Sequence, residues 1–488
     1  MDHAIKLNSF NPDYWNNKGY ALYTLKRYNE SLDPLDHAIK LNSFNPDYWN
    51  NKGMVLYNLK RYNESLNALD HAIKLNSSNP DYWNNKGMAL YNLKRYSESL
   101  SPLDHAIKLN SSNSAYWSYK GYALNYLKRY NESLDALDHA IKLNSSDPAY
   151  WNNKGMALYS QKRYNESLDP LDHAIKLNSS DPDYWYNKGY ALDNLKRYNE
   201  SLDCYDKAIK LNSSNPAYWN NKGMALYNLK RYNESLGALD HAIKLNSSNP
   251  DYWDNKGAAL NNQKRSNESL DFVDHAIKLN SSNPAYWDNE GNALYSLKRY
   301  NESLDCYDNA IKLSSSNPVY WDDMGEALYN LKRYNESLDF VDHAIKLSSS
   351  NPVYWDDKGE ALYNLKRYNE SVDALDHAIK LNSSDPLGWR WRGFALCNLK
   401  RYNESIDAFD HAIKLNSSNP AVWDWRGLAL YSLKRYDESL DSIDHAIKLD
   451  PSSRPDSWHD KGMTLMALGR NAEANAAFAK AKELGYTG

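Results

Sequence analysis

Cysteine is nearly absent from this chain of 488 residues: Cys204, Cys306 and Cys397 stand 102 and 91 residues apart. So sparse and odd a count excludes a disulfide framework and points to a reducing, cytoplasmic setting. Charge of one sign is also lacking. The net charge is −4 and no stretch is strongly basic, which excludes the cationic footprint that nucleic acid requires. No apolar run has the length of a membrane span and no segment reads as a signal peptide, so no membrane partner is expected. Phenylalanine is scarce, 7 residues against 41 tyrosines. Tyrosine, with an apolar body and a polar tip, suits half-exposed surfaces. There is no phosphate-binding loop, no nucleophile elbow and no His–Cys set at zinc spacing. The acidic residues form no acid–base constellation. No enzymatic activity, cofactor or metal is expected.

Tryptophan, by contrast, recurs on a fixed period. Trp15 is followed by Trp49, Trp83, Trp117 and so on to Trp423, each 34 residues after the last, and Trp458 follows after 35. Such a period marks an array of units that bury their apolar faces against neighbours, which overrides the several domains that length alone suggests. Residues 45–78 illustrate one unit. Asn45-Pro46 reads as a helix cap followed by proline at the first helical position. Tyr48, Trp49, Lys52, Gly53, Leu56 and Leu59 then recur at helical spacing as one stripe. The Lys stem lies along that stripe, and the Gly marks a close approach to a neighbouring helix. A second helix begins near Tyr62-Asn63, with Asn63 as its expected cap and Leu66, Leu69, Ala72 and Ile73 as its stripe; Asn76-Ser77-Ser78 ends it. Pro34, Pro102 and Pro170 fall early in second helices, where a late start or a kink is expected.

Trp49, Gly53, Leu56, Tyr62, Leu69 and Ala72 resemble the signature positions of the tetratricopeptide repeat, and the likeness covers essentially the whole chain. The family usually has Leu where Lys52 stands, Ala where Ser65 stands and Pro near Ser77. The resemblance implies an all-α fold, a right-handed superhelical α-solenoid of antiparallel helix pairs, with first helices lining the concave face. It also implies binding of peptides or partner proteins without catalysis. In this reading residues 1–10 are the tail of a truncated repeat (second helix only), 11–450 hold thirteen tandem repeats, and 451–488 form a divergent C-terminal capping repeat. The capping role rests on Asn471, Asn475 and Lys482, which make the last second helix polar, and on Gly485, which ends it. The start in mid-repeat suggests a fragment of a longer array and leaves export open.

Counted from each Trp, residues at −2, +1, +2, +5, +8 and +9 form the other stripe of the first helix, expected to face the groove. Its chemistry changes along the chain. Early units present an uncharged ladder: Asn16, Asn17, Tyr20 and Tyr23, then Asn50, Asn51, Met54, Tyr57 and Asn58, then Asn84, Asn85, Met88, Tyr91 and Asn92. Asn can bond an extended backbone while Tyr and Met cover side chains. From Asp254 the stripe turns acidic, through Asp288, Asp322, Asp323, Glu326, Asp356, Asp357 and Glu360, a wall that favours a basic partner segment. The bland alternative for both stretches is a solvated face copied by duplication. Arg390, Trp391, Arg392 and Phe394, followed by Trp425 and Arg426, come next. Trp and Arg are the side chains most enriched at binding hot spots; the alternative is Trp391 filling the gap left where Gly388 replaces the usual Tyr.

Twelve of the 13 histidines fall in one second-helix column, His3 to His445, broken by Lys207 and Asn309, and read as part of a charged outer face. Asn-x-Ser triplets such as Asn29-Glu30-Ser31 have the form of glycosylation acceptors, but caps and turns account for them. The functional expectation is an interaction scaffold that binds an extended or helical segment of a partner protein or peptide. The alternative is a structural array or spacer that self-associates end to end.

Overall fold

The computed structural model describes residues 2–452 and 454–487, so Met1, Ser453 and Gly488, at the edges of the expected first and last segments, lie outside the described residues. The described residues form 29 helices. A short one, Asp2–Leu7, precedes fourteen hairpins, each a first helix of 13 residues and a second of 13 or 14. By contact density the chain divides into two compact units, Met1–Asn246 and Ser247–Gly488, each an α-solenoid of seven antiparallel helix pairs.

The caps act locally as the sequence dictates at one end of the hairpin and differently at the other. Asn45 Oδ1 accepts from the Asp47 N–H at 3.0 Å and Pro46 opens the helix Pro46–Asn58. That helix ends through a left-handed residue. Lys60 has φ 60°, the Arg61 N–H donates to the Leu56 carbonyl at 2.9 Å, and the Lys60 N–H to Tyr57 at 2.9 Å. This is the helix-ending motif usually built on glycine. Lysine holds the position in thirteen hairpins, from Lys26 to Lys434, and Gly469 takes it in the last. The turn delivers Arg61, not Asn63, to the start of the second helix, Tyr62–Leu75, which carries no side-chain cap. Asn63 therefore sits inside the first turn. Arg61 instead grips Glu64 through two hydrogen bonds of 2.7 Å.

Packing between the two helices is set by Gly53. A Cβ there would stand 2.8 Å from Leu69 Cγ, so the absence of a side chain lets Leu69 bury completely. Ser65 is wholly buried and donates to the Gly53 carbonyl at 2.7 Å, which satisfies the hydroxyl at a position where the family has Ala. Val55, outside both stripes read from the sequence, is also fully buried; its small counterparts Ala89, Ala123 and Ala157 give only a weak apolar signal. The prolines produce no late start. The helix Tyr28–Leu41 runs from the same position as Tyr62–Leu75 with Pro34 buried inside it.

Two side-chain columns tie successive hairpins, and a third joins the two helices within a hairpin. Tyr48 is buried and its hydroxyl donates to Asp13 one repeat earlier; Tyr82 does the same to Asp47. Lys52 Nζ reaches back 2.5 Å to Asp36, and Lys86 reaches Asp70 at 2.6 Å, which explains lysine where the family has leucine. Arg392 and Arg426 belong to this column, pairing with Asp376 and Asp410 at 2.5 and 2.6 Å. The Trp49 indole N–H donates to the Ser43 carbonyl at 2.9 Å while its ring lies 4.5 Å from that of His71. The histidine column is thus a set of partners for the tryptophans, repeated at Trp15–His37, Trp117–His139 and Trp389–His411. Lys207 keeps the contact as a cation 4.2 Å over Trp185. In the last repeat Asn475 and Lys482 are exposed, and the helix Asn471–Glu483 buries only alanines, Ala474, Ala477 and Ala481.

Candidate partner-binding face

Many of the side chains one and two positions after a Trp do not stand free. In several repeats they bond between neighbouring first helices in a constant register. In the unit Met1–Asn246, Asn51 donates to Asn16, Asn85 to Asn50 and Asn187 to Asn152, each at 2.9 Å. A second rung lies further along: Asn92 donates to the Tyr57 hydroxyl at 2.8 Å, and Asn58 to that of Tyr23 at 3.4 Å. Asn84 and Asn85 are buried, and Asn84 Nδ2 lies 3.3 Å from Met88 Sδ. Met54 and Tyr57 are half-buried, and Tyr20 is exposed. The amide ladder therefore spends much of its hydrogen-bonding capacity on neighbouring repeats.

In the unit Ser247–Gly488 the same rungs are carboxylates. Asn289 donates to both oxygens of Asp254 at 2.9 and 3.0 Å; in the same register Asp323 stands beside Asp288 and Asp357 beside Asp322, close enough for a shared proton to link each pair. On the second rung the Tyr295 hydroxyl donates to Glu326 at 2.7 Å and that of Tyr329 to Glu360 at 2.6 Å, with Asn330 and Asn364 donating to the two tyrosines at 2.8 Å. Burial disfavours the ionised carboxylate and is the leading cause of the raised pKa of Asp254, Asp288, Asp322, Asp323, Asp356, Asp357 and Glu360. Asp254 is pushed up to about 7, Asp322 to about 7 and Asp356 to about 7. Asp357 goes well above the usual carboxylate range, again by burial first and then by the charges of Asp322 and Glu326. Tyr295, Glu326, Tyr329, Asn330, Asp357 and Glu360 open onto a cavity of about 230 Å³ whose floor includes Gly325 and Val341.

Beyond this row Arg390 lies 5.4 Å from the Trp391 ring, and Trp391 packs on Tyr363 and Phe394 at 5.2 and 5.4 Å. Trp425 packs on Phe394 from the other side at 5.2 Å. Phe394 itself is buried with Phe409 and Val422, so it supports the two indoles from within and offers no contact of its own. Trp391 does not fill the space above Gly388. A Cβ at Gly388 would meet Asp356 Oδ1 at 2.8 Å and Ile379 at 3.2 Å. Asp356 is itself buried; with Asn84, Asn85 and Phe394 it is a residue expected at the open face that lies beneath it. Sequence reasoning passed over the tyrosines Tyr295 and Tyr329, although their spacing of 34 and the glutamates 31 positions after them carry the signal.

Among the described residues no group of three or more His, Cys, Asp or Glu side chains is arranged to hold a metal ion, and no helix is long and apolar enough to cross a membrane.

Models of the tetratricopeptide repeat match residues 12–45, 80–113, 120–182, 182–215, 216–249, 353–385, 386–419, 420–453 and 455–484, and a TPR repeat model matches 53–94 and 291–332. The chain belongs to the tetratricopeptide-repeat family. No curated protein sequence matches it. Among solved structures, the APC/C hetero-tetramer Cut9–Hcn1 matches with a TM-score of 0.52 at 13% identity, over 96% of this chain and 98% of that one. YrrB, described as a TPR protein with an unusual peptide-binding site, matches with a TM-score of 0.34 at 20% identity, over 41% of this chain and 97% of that one. MamA from Desulfovibrio magneticus RS-1 matches with a TM-score of 0.33 at 18% identity, over 34% of this chain and 94% of that one.

Proposed function

We propose that the chain is a non-catalytic scaffold whose first helices in the unit Ser247–Gly488 bind an extended, basic segment of a partner protein. The observation that carries this reading is the row Asp288, Asp322, Asp323, Glu326, Asp357 and Glu360, which lies within consecutive first helices beside a cavity of about 230 Å³. A lysine or arginine entering that cavity meets the carboxylates of Glu326 and Glu360, each already oriented by a tyrosine hydroxyl. Glu360 is half-buried, and a partly desolvated carboxylate gains more from a cation than a solvated one such as the exposed Glu326 does. Arg390, Trp391 and Trp425 bound the row and would cover an apolar or acidic residue following the basic stretch. Asn16, Asn50, Asn51 and their neighbours contribute where their remaining hydrogen-bonding capacity faces outward.

Selection of a displayed library of random twelve-residue peptides on the full chain tests this. Enrichment of Lys- and Arg-containing sequences, lost in the Glu326→Gln, Glu360→Gln double variant, is the expected outcome; the lost selectivity corresponds to about 1–2 kcal/mol, most of it from the half-buried Glu360. Enriched sequences without a basic bias, or an unchanged set on the variant, would refute the reading. The competing function, a self-associating spacer, is favoured by Leu7, Phe10 and Phe44, which are 75%, 82% and 81% exposed near the first hairpins. It requires a molecular mass that rises with concentration in light scattering.

A further inference from the structure

We infer that the first helices Pro284–Ser296, Pro318–Asn330 and Pro352–Asn364 are joined by carboxyl pairs that share protons, which makes this stretch a joint that tightens in acid and loosens as the pH rises. The geometry comes from comparing like with like. In the other unit the two ladder positions are Asn and Asn, and the contact is an amide donating to an amide oxygen at 2.9 Å. In the hairpin Pro250–Leu279 the acceptor is Asp254 and the donor remains an amide, Asn289. At Asp288–Asp323 and Asp322–Asp357 both members are carboxyl groups. An ionised carboxylate has acceptors only, so the rung exists only if one member keeps its proton. Asp288 Oδ1 and Asp322 Oδ1 are buried with no hydrogen-bond partner, while Asn292 donates to the other oxygen of Asp288 at 3.3 Å.

The surroundings offer little compensation. Asp288 faces Asp323, Asp254, the rings of Tyr307 and Tyr320 and one compensating donor, the Asn292 amide at 3.3 Å. The Asp322–Asp357 pair faces Asp323, Glu326, Asp356, Glu360 and Tyr354. The cation that acts on this row is Arg390, and it acts on Glu360. Two carboxylates in hydrogen-bonding contact cannot both ionise without strong repulsion. Burial first, and the charge of Asp323 second, raises Asp288 to about 9; burial raises Asp323 to about 6. The unfolded reference for Asp is 3.8. Because the folded values are raised, the stabilisation is complete below the unfolded value and is lost as pH climbs through the folded ones, between about 4 and about 9. This inference does not depend on whether the face docks a basic segment.

Hydrogen exchange of the full chain in chelator-containing buffer, read by peptide and corrected for intrinsic rates, tests it. Protection within 284–296, 318–330 and 352–364 should fall at least about tenfold between about pH 5 and about pH 9, the equivalent of one unit of pKa shift. The helices Pro46–Asn58 and Pro80–Asn92, with amide rungs, serve as the internal control and should keep their protection. The Asp323→Asn, Asp357→Asn double variant recreates the amide-to-carboxylate rung of Asn289 and Asp254, which persists when the carboxylate ionises, and should reduce the pH response to that of the burial of Asp288, Asp322 and Asp356 alone. Equal responses in the acidic and amide stretches of the wild-type chain would overturn the inference, and so would a response undiminished in the double variant.

Discussion

At the scale of single residues, the repeat is a set of exchanges between neighbours, and glycine shows this best. Gly53, in a first helix, faces Leu69 so closely that a methyl group does not fit, whereas Gly237, in a second helix, has nothing within 4 Å of an added Cβ. Gly53→Ala should therefore lower local stability by about 1–2 kcal/mol, since overpacking outweighs the propensity gain. Gly237→Ala should raise it by about 0.8–1 kcal/mol. Hydrogen-exchange protection in the two hairpins measures both, and opposite signs are the expected result. The close approach at Gly53 was legible from a glycine in a helical stripe. Lys60 was not legible in the same way, because a lysine at φ 60° gives no sign of a left-handed turn. Only the closing hydrogen bond from Arg61 to Leu56 reveals it, and the last repeat confirms it by placing Gly469 there.

At the scale of the element, tertiary packing overrides local preference. The helix Tyr96–Leu109 holds Pro102 seven residues in, where a proline removes a backbone donor to the turn before it. The helix keeps its start because Leu103 and Ala106 bury completely against its neighbours. The equivalent position is Ala68 in one hairpin and Ala136 in another, both buried. Pro102→Ala should therefore fit without adjustment and stabilise that helix by about 1–3 kcal/mol. Urea titration followed by exchange in the segment 96–109 reads the change, and a loss of protection would contradict it. The first helices were legible in full, from the Asn-Pro start to the Trp stripe. The start of the second helices was misassigned to Asn63, because a good capping residue stands beside a turn that fixes the chain by other means.

At the scale of the molecule, within each compact unit the hairpins touch their neighbours in sequence, so stability is a sum of repeat and interface contributions. Deleting residues 182–215 joins Asp181 to Pro216 and keeps a helix-capping residue before proline. That shortened chain should remain folded, with helicity per residue by circular dichroism within about a tenth of the full chain, as expected for nearest-neighbour coupling. Collapse of helicity would show coupling beyond nearest neighbours. The sequence by itself determined the repeat, its period, the helix pair and the change along one stripe from amide to acid to Trp and Arg. These follow from periodicity and composition, which are properties of the chain read in order. Only the tertiary structure decided that Asn85 bonds Asn50, that Asp288 meets Asp323, that His71 lies on Trp49 and that Phe394 is buried. Those contacts join residues 22 to 35 positions apart, or seal a side chain under its neighbours, and depend on the offset at which one helix lies against another. That offset is a packing result which no stripe read along one helix contains.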